Sequence, residues 1–179
     1  MLNKNRLTWQ TIAFHWITGL LFIGVFVLGL YMADLPRSPE KGELIGLHKS
    51  LGAIVLLVAL LRIVWRVKEG AIQATSPVPA WQEKLAKAIH GILMLATLSM
   101  PISGIAMSVG GGRGADVFGW SFIAAGDKTP WLQELGGAIH GLSVNIIIFV
   151  LLLHIAGAIK HQVIDKDGTM SRMLGRTIS

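Results

Sequence analysis

The chain has 179 residues, of which 53% are apolar and 15% charged, with a mean hydropathy of +0.61 and a formal net charge of +6. That is too little charge to cover a water-soluble surface of this size, so water is not the main solvent. The absence of cysteine excludes disulfides, thiolate-held zinc, cysteine-held iron–sulfur clusters and covalent haem attachment through C-x-x-C-H.

The basic residues flank apolar runs and form no patch, so they read as topology signals, and no nucleic-acid partner is expected. A bilayer-spanning helix needs about 20 mostly apolar residues. Leu7 to Ala33 carries no formal charge and predicts a first helix over 8–33. Lys4 and Arg6 precede it as in a signal peptide, but the run is too long and no small-residue cleavage site follows. A second helix is predicted over 44–67. Its uncharged middle, Ser50 to Leu61, is short, and Lys49, Arg62 and Arg66 near its ends can snorkel to the headgroups. Pro77 and Pro79 mark an ordinary linker before a third helix over 81–109, where Pro101 and Gly104 predict a kink. The segment 110–134 contains Gly110, Gly111, Gly112 and Gly114 and is expected to be irregular. A fourth helix follows over 134–161. The expectation is one all-α domain over 1–179, an integral membrane four-helix bundle.

Four spans place both termini on one side. Eleven basic residues fall there (Lys4, Arg6, Arg62, Arg66, Lys68, Lys84, Lys87, Lys160, Lys166, Arg172 and Arg176) against five opposite (Arg37, Lys41, Lys49, Arg113 and Lys128). The positive-inside rule then predicts cytoplasmic termini.

Five of the six histidines, His15, His48, His90, His140 and His154, lie inside apolar spans, and His161 ends one. Ionisable groups in hydrocarbon face the bundle interior and take partners. His140 and His154 are fourteen residues apart, which returns them to one helix face about 21 Å apart along the axis. Two redox centres could stack there, one near each membrane surface. Depth pairs His15 with His154 and His48 with His140, and His15 with His90 also satisfies depth. Glycines one turn away, Gly19, Gly52, Gly136 and Gly137, and Gly157, would let a flat cofactor approach the backbone. Zinc wants four ligands at one depth, whereas these histidines divide between two. Iron held by two histidines is six-coordinate and carries electrons.

The sequence resembles the bacterial cytochrome b561 family over almost its whole length. The likeness rests on His15-Trp16, Gly29-Leu30-Tyr31-Met32, Leu47-His48-Lys49-Ser50-Leu51-Gly52, Arg62 with Trp65-Arg66, and His90. It continues through Pro101-Ile102-Ser103-Gly104, His140, His154, Lys160-His161 and Asp165-Lys166-Asp167-Gly168. The resemblance implies a four-helix membrane cytochrome with two haem b groups, their iron held by His15, His48, His140 and His154. It implies a bacterial inner-membrane electron carrier, and one family member is a superoxide oxidase that reduces ubiquinone. His90, Lys160 and His161 are candidates for a cytoplasmic-side quinone pocket, and Lys49 and Arg66 for haem propionates. Many family members carry two adjacent histidines where this chain has His161-Gln162. The outer segments hold five basic residues against six acidic ones, Asp34, Glu40, Glu43, Asp116, Asp127 and Glu134. Two other readings are an electron-transfer anchor for a separate dehydrogenase or periplasmic cytochrome, and a histidine-lined proton or metal-ion transporter.

Overall fold

The computed structural model describes residues 6–70, 72, 75 and 77–177, so Lys4 lies outside the described residues. Four long helices carry the chain: α1 (Trp9–Ala33), α2 (Pro39–Glu69), α3 (Ala80–Gly110) and α4 (Pro130–Lys160). Each is long and apolar enough to cross a bilayer. Two short strands, β1 (Ala115–Val117) and β2 (Trp120–Ile123), lie between α3 and α4. A π-helical turn (His161–Asp165) and a short α5 (Thr169–Met173) follow α4.

Two helices begin earlier than their apolar runs suggest. α2 starts at Pro39, because the Ser38 side chain accepts from the Lys41 N–H and Pro39 fills the first helical turn, where no N–H is needed. Pro130 does the same for α4. α2, α3 and α4 are therefore 31 residues each, about 46 Å long. That exceeds the roughly 30 Å hydrocarbon core, so their charged ends reach the headgroups. α3 runs unbroken through Pro101.

The segment expected to be irregular contains an antiparallel hairpin in which Val117 pairs with Trp120. The turn residues Phe118 and Gly119 both have positive φ, 47° and 85°, as a two-residue hairpin of the primed type needs. The Phe118 N–H donates to Ser50 Oγ at 2.9 Å and Lys49 Nζ lies 3.3 Å from Asp116, which fixes the hairpin over the end of α2 away from the termini.

Backbone packing joins successive helices, α3 to α4 most closely, then α1 to α2 and α2 to α3. Gly136 makes the α3–α4 approach close: a Cβ there would stand 2.6 Å from Met107 N and 2.7 Å from Ser103 O. Its smallness serves helix packing, not clearance for a cofactor as the sequence suggested. By contrast α4 approaches α1 and α2 only loosely along the backbone. Midway along the bundle an apolar layer of Phe22, Val25, Val55, Ala96, Met100 and Ile147 fills the interior. Most other large apolar side chains face outward, Leu20, Leu57, Leu95, Leu142 and Phe149 among them, as a lipid-facing surface requires.

At the end that carries both termini, Glu69 accepts from the hydroxyls of Thr8 and Thr11, and Trp65 Nε1 donates to Thr11 Oγ1 at 3.0 Å. Trp16 Nε1 donates to the Met173 carbonyl at 2.8 Å, tying α5 beneath α1. These two tryptophans hold tertiary contacts, while Trp9, Trp81, Trp120 and Trp131 are exposed as an interfacial belt would be.

Candidate functional site

The loose seam between α4 and the α1–α2 pair is bridged by imidazoles at two levels. At the terminal end His15 on α1 faces His154 on α4, with ring centres 6.1 Å apart. At the other end His48 on α2 faces His140 on α4, with ring centres 6.2 Å apart. Ile147, seven residues from each α4 histidine, is 1% exposed in the apolar layer between the levels.

The fourteen-residue spacing of α4 recurs on every helix: His15 and Gly29 on α1, His48 and Arg62 on α2, His90 and Gly104 on α3. Each helix thus offers one residue to each level. At the level away from the termini both imidazoles lie against glycine. A Cβ on Gly29 would meet His48 Cε1 at 2.9 Å, and one on Gly104 would meet His140 Cε1 at 3.4 Å. The His140 ring is also oriented by hydrogen bonds. Its Nδ1 lies 3.0 Å from the Met100 carbonyl and 3.1 Å from Ser103 Oγ. Nδ1 donates to the carbonyl, and Nε2 is left as the free nitrogen. His48 Nδ1 is buried without a well-formed hydrogen bond, and the backbone of Val25 is the acceptor beside it.

The level at the terminal end is more crowded and more polar. His90 packs edge-on against His154 with ring centres 5.2 Å apart. Arg62 lies within electrostatic reach of His15, His90 and His154. In the sequence Arg62 stands only among the snorkelling cations and the family motifs. Its fourteen-residue offset from His48 was the signal that it joins the inner level.

The family model described as prokaryotic cytochrome b561 matches residues 6–176. The chain belongs to the prokaryotic cytochrome b561 family. It is 33% identical to cytochrome b561 homolog 2 of Escherichia coli (strain K12), over 93% of this chain and 90% of that protein. It is 30% identical to cytochrome b562 of Cereibacter sphaeroides, over 97% and 98% of the two chains. It is 29% identical to the probable superoxide oxidase CybB of Yersinia pestis, over 91% and 92%. Membership makes this a multi-pass membrane electron-transfer protein, and a b-type cytochrome implies haem b.

The residues present fit haem. Two imidazoles that shared one metal ion, at about 2.0 Å from metal to nitrogen and about 1.2 Å from nitrogen to ring centre, would have ring centres about 6.4 Å apart. The spacings of His15–His154 and His48–His140 match that separation, and the 5.2 Å of His90–His154 is too short for it. A Cβ at Gly19, Gly52 or Gly157 would meet no protein atom within 4 Å, so open space lies beside the backbone within about one turn of His15, His48 and His154.

The remaining candidates separate. Lys49 pairs with Asp116 on β1 at 3.3 Å, and Arg66 with Glu69 at 3.4 Å. Lys160 Nζ lies 2.6 Å from Asp165 Oδ2, and His161 Nδ1 lies 2.7 Å from Asp167 Oδ2. Lys160, Asp165 and Asp167 line a cleft of about 360 Å³ with Pro77, Val78, Pro79 and Gln82. That volume is at the small end of ligand pockets. His90 turns to His154 instead, so the three residues nominated for one quinone pocket occupy two neighbouring places at the terminal end.

Proposed function

We propose that residues 1–179 form one di-haem domain that carries electrons from superoxide at its outer face to ubiquinone near its cytoplasmic end. The observation that carries the reading is the stacking of two histidine pairs, at 6.1 and 6.2 Å, along one face of α4. His15 and His154 would hold the inner haem and His48 and His140 the outer one. The excess of basic residues at the terminal end supports cytoplasmic termini and a bacterial inner membrane. Bound haem b would supply reversible one-electron chemistry, with His15 and His154 or His48 and His140 as the residues that would hold it.

The residues do the rest. α4 fixes the two levels about 21 Å apart, and Ile147 keeps the layer between them dry. Arg62 is a fixed cation at the inner level. A positive charge favours the reduced state, so it draws electrons inward. Lys160 and His161, with His90 nearby on the inner histidine pair, form the quinone end. Each superoxide gives one electron and leaves as O₂, while ubiquinone takes two electrons and two protons. Two superoxide anions and two protons therefore balance one quinol. The likeness to a probable superoxide oxidase supports that donor. The pairing of Lys49 with Asp116 leaves less bare positive charge at the outer face to steer an anion.

The test is purified protein given a superoxide source and a short-chain ubiquinone. Quinol formation coupled to superoxide loss is expected. No turnover, with rapid haem reduction by a dehydrogenase or periplasmic cytochrome, would make the chain an electron-transfer anchor. A colourless protein with ion flux in liposomes would make it a transporter.

Gly29 gives a sharper prediction at the outer pair. Gly29→Val places a branched side chain where even a Cβ would stand 2.9 Å from His48. The ring must move, at a cost of about 1–3 kcal/mol. Haem content should fall toward about one per chain, read by extraction against protein concentration, while Gly24→Val, where a Cβ meets no atom within 4 Å, should keep both haems.

A further inference from the structure

The motif Asp165-Lys166-Asp167-Gly168 has no place in the electron path described above, yet it folds back onto His161. Asp167 lies six residues beyond His161, too far to meet it along a regular helix. The chain returns because the helix widens into a π turn and Lys166 takes a left-handed conformation, with φ 51°. The Asp167 N–H then points to the His161 carbonyl at 3.4 Å, and Gly168, with φ 78°, starts α5. A non-glycine residue held at positive φ costs energy and persists only where the surroundings impose it.

The carboxylate this delivers is well defined. The Asp167 side chain is 6% exposed. Its Oδ1 accepts from the Thr169 N–H at 2.9 Å and its Oδ2 faces His161 Nδ1 at 2.7 Å. Burial works against ionisation, but the hydrogen bonds from Thr169 and His161 hold the Asp167 carboxyl below its usual range. An ionised carboxylate can only accept, so Nδ1 must be the nitrogen that carries hydrogen. Asp165 also lies 3.2 Å from that nitrogen, but Lys160 engages both its oxygens at 2.6 and 2.9 Å. The four charged groups thus sort into two pairs, Lys160 with Asp165 and His161 with Asp167.

We infer that Asp167 is a positioning residue that locks His161 in the Nδ1–H form and leaves Nε2 as the atom that hands a proton to the reduced quinone. This rests on the quinone reading above. Protonated His161 carries hydrogen on both nitrogens. Giving up the Nε2 proton to a quinone oxygen leaves the neutral Nδ1–H imidazole, still held by Asp167, and a proton from the cytoplasmic water restores the cation. One such transfer, with a second proton from water and two electrons from the donor, completes the quinol. A carboxylate that fixes the far nitrogen of a working histidine sets which proton can move.

The experiment uses the full-length, haem-loaded protein with nitrogen-15-labelled histidine, with His161 assigned by comparison with His161→Gln. Nitrogen chemical shifts at alkaline pH report the tautomer without any quinone. The wild type should show Nδ1–H at His161. Asp167→Ala should move the population toward Nε2–H, and Asp167→Glu should restore it in part. Electron transfer from the pre-reduced protein to a short-chain ubiquinone should slow by about tenfold or more in Asp167→Ala. The loss should lie in kcat with KM nearly unchanged, and Asp167→Glu should recover part of it. An Nε2–H tautomer in the wild type, or an Asp167→Ala protein with unaltered tautomer and rate, overturns the inference. If Asp167→Ala does not fold, Asp167→Leu, which keeps the bulk and also lacks an acceptor, carries the same comparison. Wild-type protein with the Nδ1–H tautomer that reduces no quinone overturns the quinone reading and leaves the Asp167–His161 arrangement standing.

Discussion

His48→Ala and His140→Ala should each yield a protein with about one haem per chain in place of two, with the inner centre spectrally intact. One imidazole cannot replace two opposed ones, and the described residues at that level offer no substitute ligand. The neighbours of His48 and His140 at that level are Gly29 and Gly104, which have no side chain to coordinate with. Met100 and Met107 are spoken for as well: Met100 is buried in the apolar layer, and Met107 Sδ packs 3.7 Å from the Cβ position of Gly137. The effect on stability should also be large. A ligand present at 1,000 times its dissociation constant stabilises the native state by about 4 kcal/mol. Loss of the outer haem should therefore lower the thermal transition visibly. Haem extraction and calorimetry on the same preparations check both.

The inner pair should behave differently because its surroundings do. His154→Ala should remove the inner haem and His15→Ala should deplete it, while His90→Ala should keep it. His90 stands at the same level and touches His154 at 5.2 Å between ring centres, which is contact between neighbours and not the separation of two axial ligands. The sharper outcome is a partial rescue. In His15→Ala, His90 is an imidazole already within the cluster, so a residual inner haem of altered spectrum can form where the outer variants retain none. Retention of a normal inner haem in His15→Ala, with its loss in His90→Ala, would assign the ligand pair to His90 and overturn the pairing. Low-temperature spectra of the three single variants, with haem per chain, decide it.

Much of this architecture was legible in the residues. Charge-free runs marked three of the helices, α2 followed from a shorter uncharged stretch with snorkelling cations at its ends, and the fourteen-residue spacing of His140 and His154 marked the two levels. The same spacing on the other three helices went unread, since there the second residue is Gly29, Arg62 or Gly104 and not histidine. Glycine is common in membrane helices, so its meaning at Gly29 appears only when the His48 ring is seen lying on it. Gly136 shows the opposite case, a glycine beside a histidine that serves the α3–α4 contact. The hairpin was hidden because Phe118 holds a turn position that Asn, Asp or Gly would normally announce. The reach of Asp167 to His161 depends on a left-handed Lys166, for which nothing local in the sequence argues.

The most direct measurement is the optical spectrum of the detergent-purified protein, oxidised and then reduced with dithionite, with haem quantified per chain. Two haem b groups per chain, with the sharp reduced bands of low-spin iron, are expected from two opposed histidine pairs. One haem per chain, or a high-spin spectrum showing an open iron position, would contradict the account that the two levels of α4 each hold a haem between paired imidazoles.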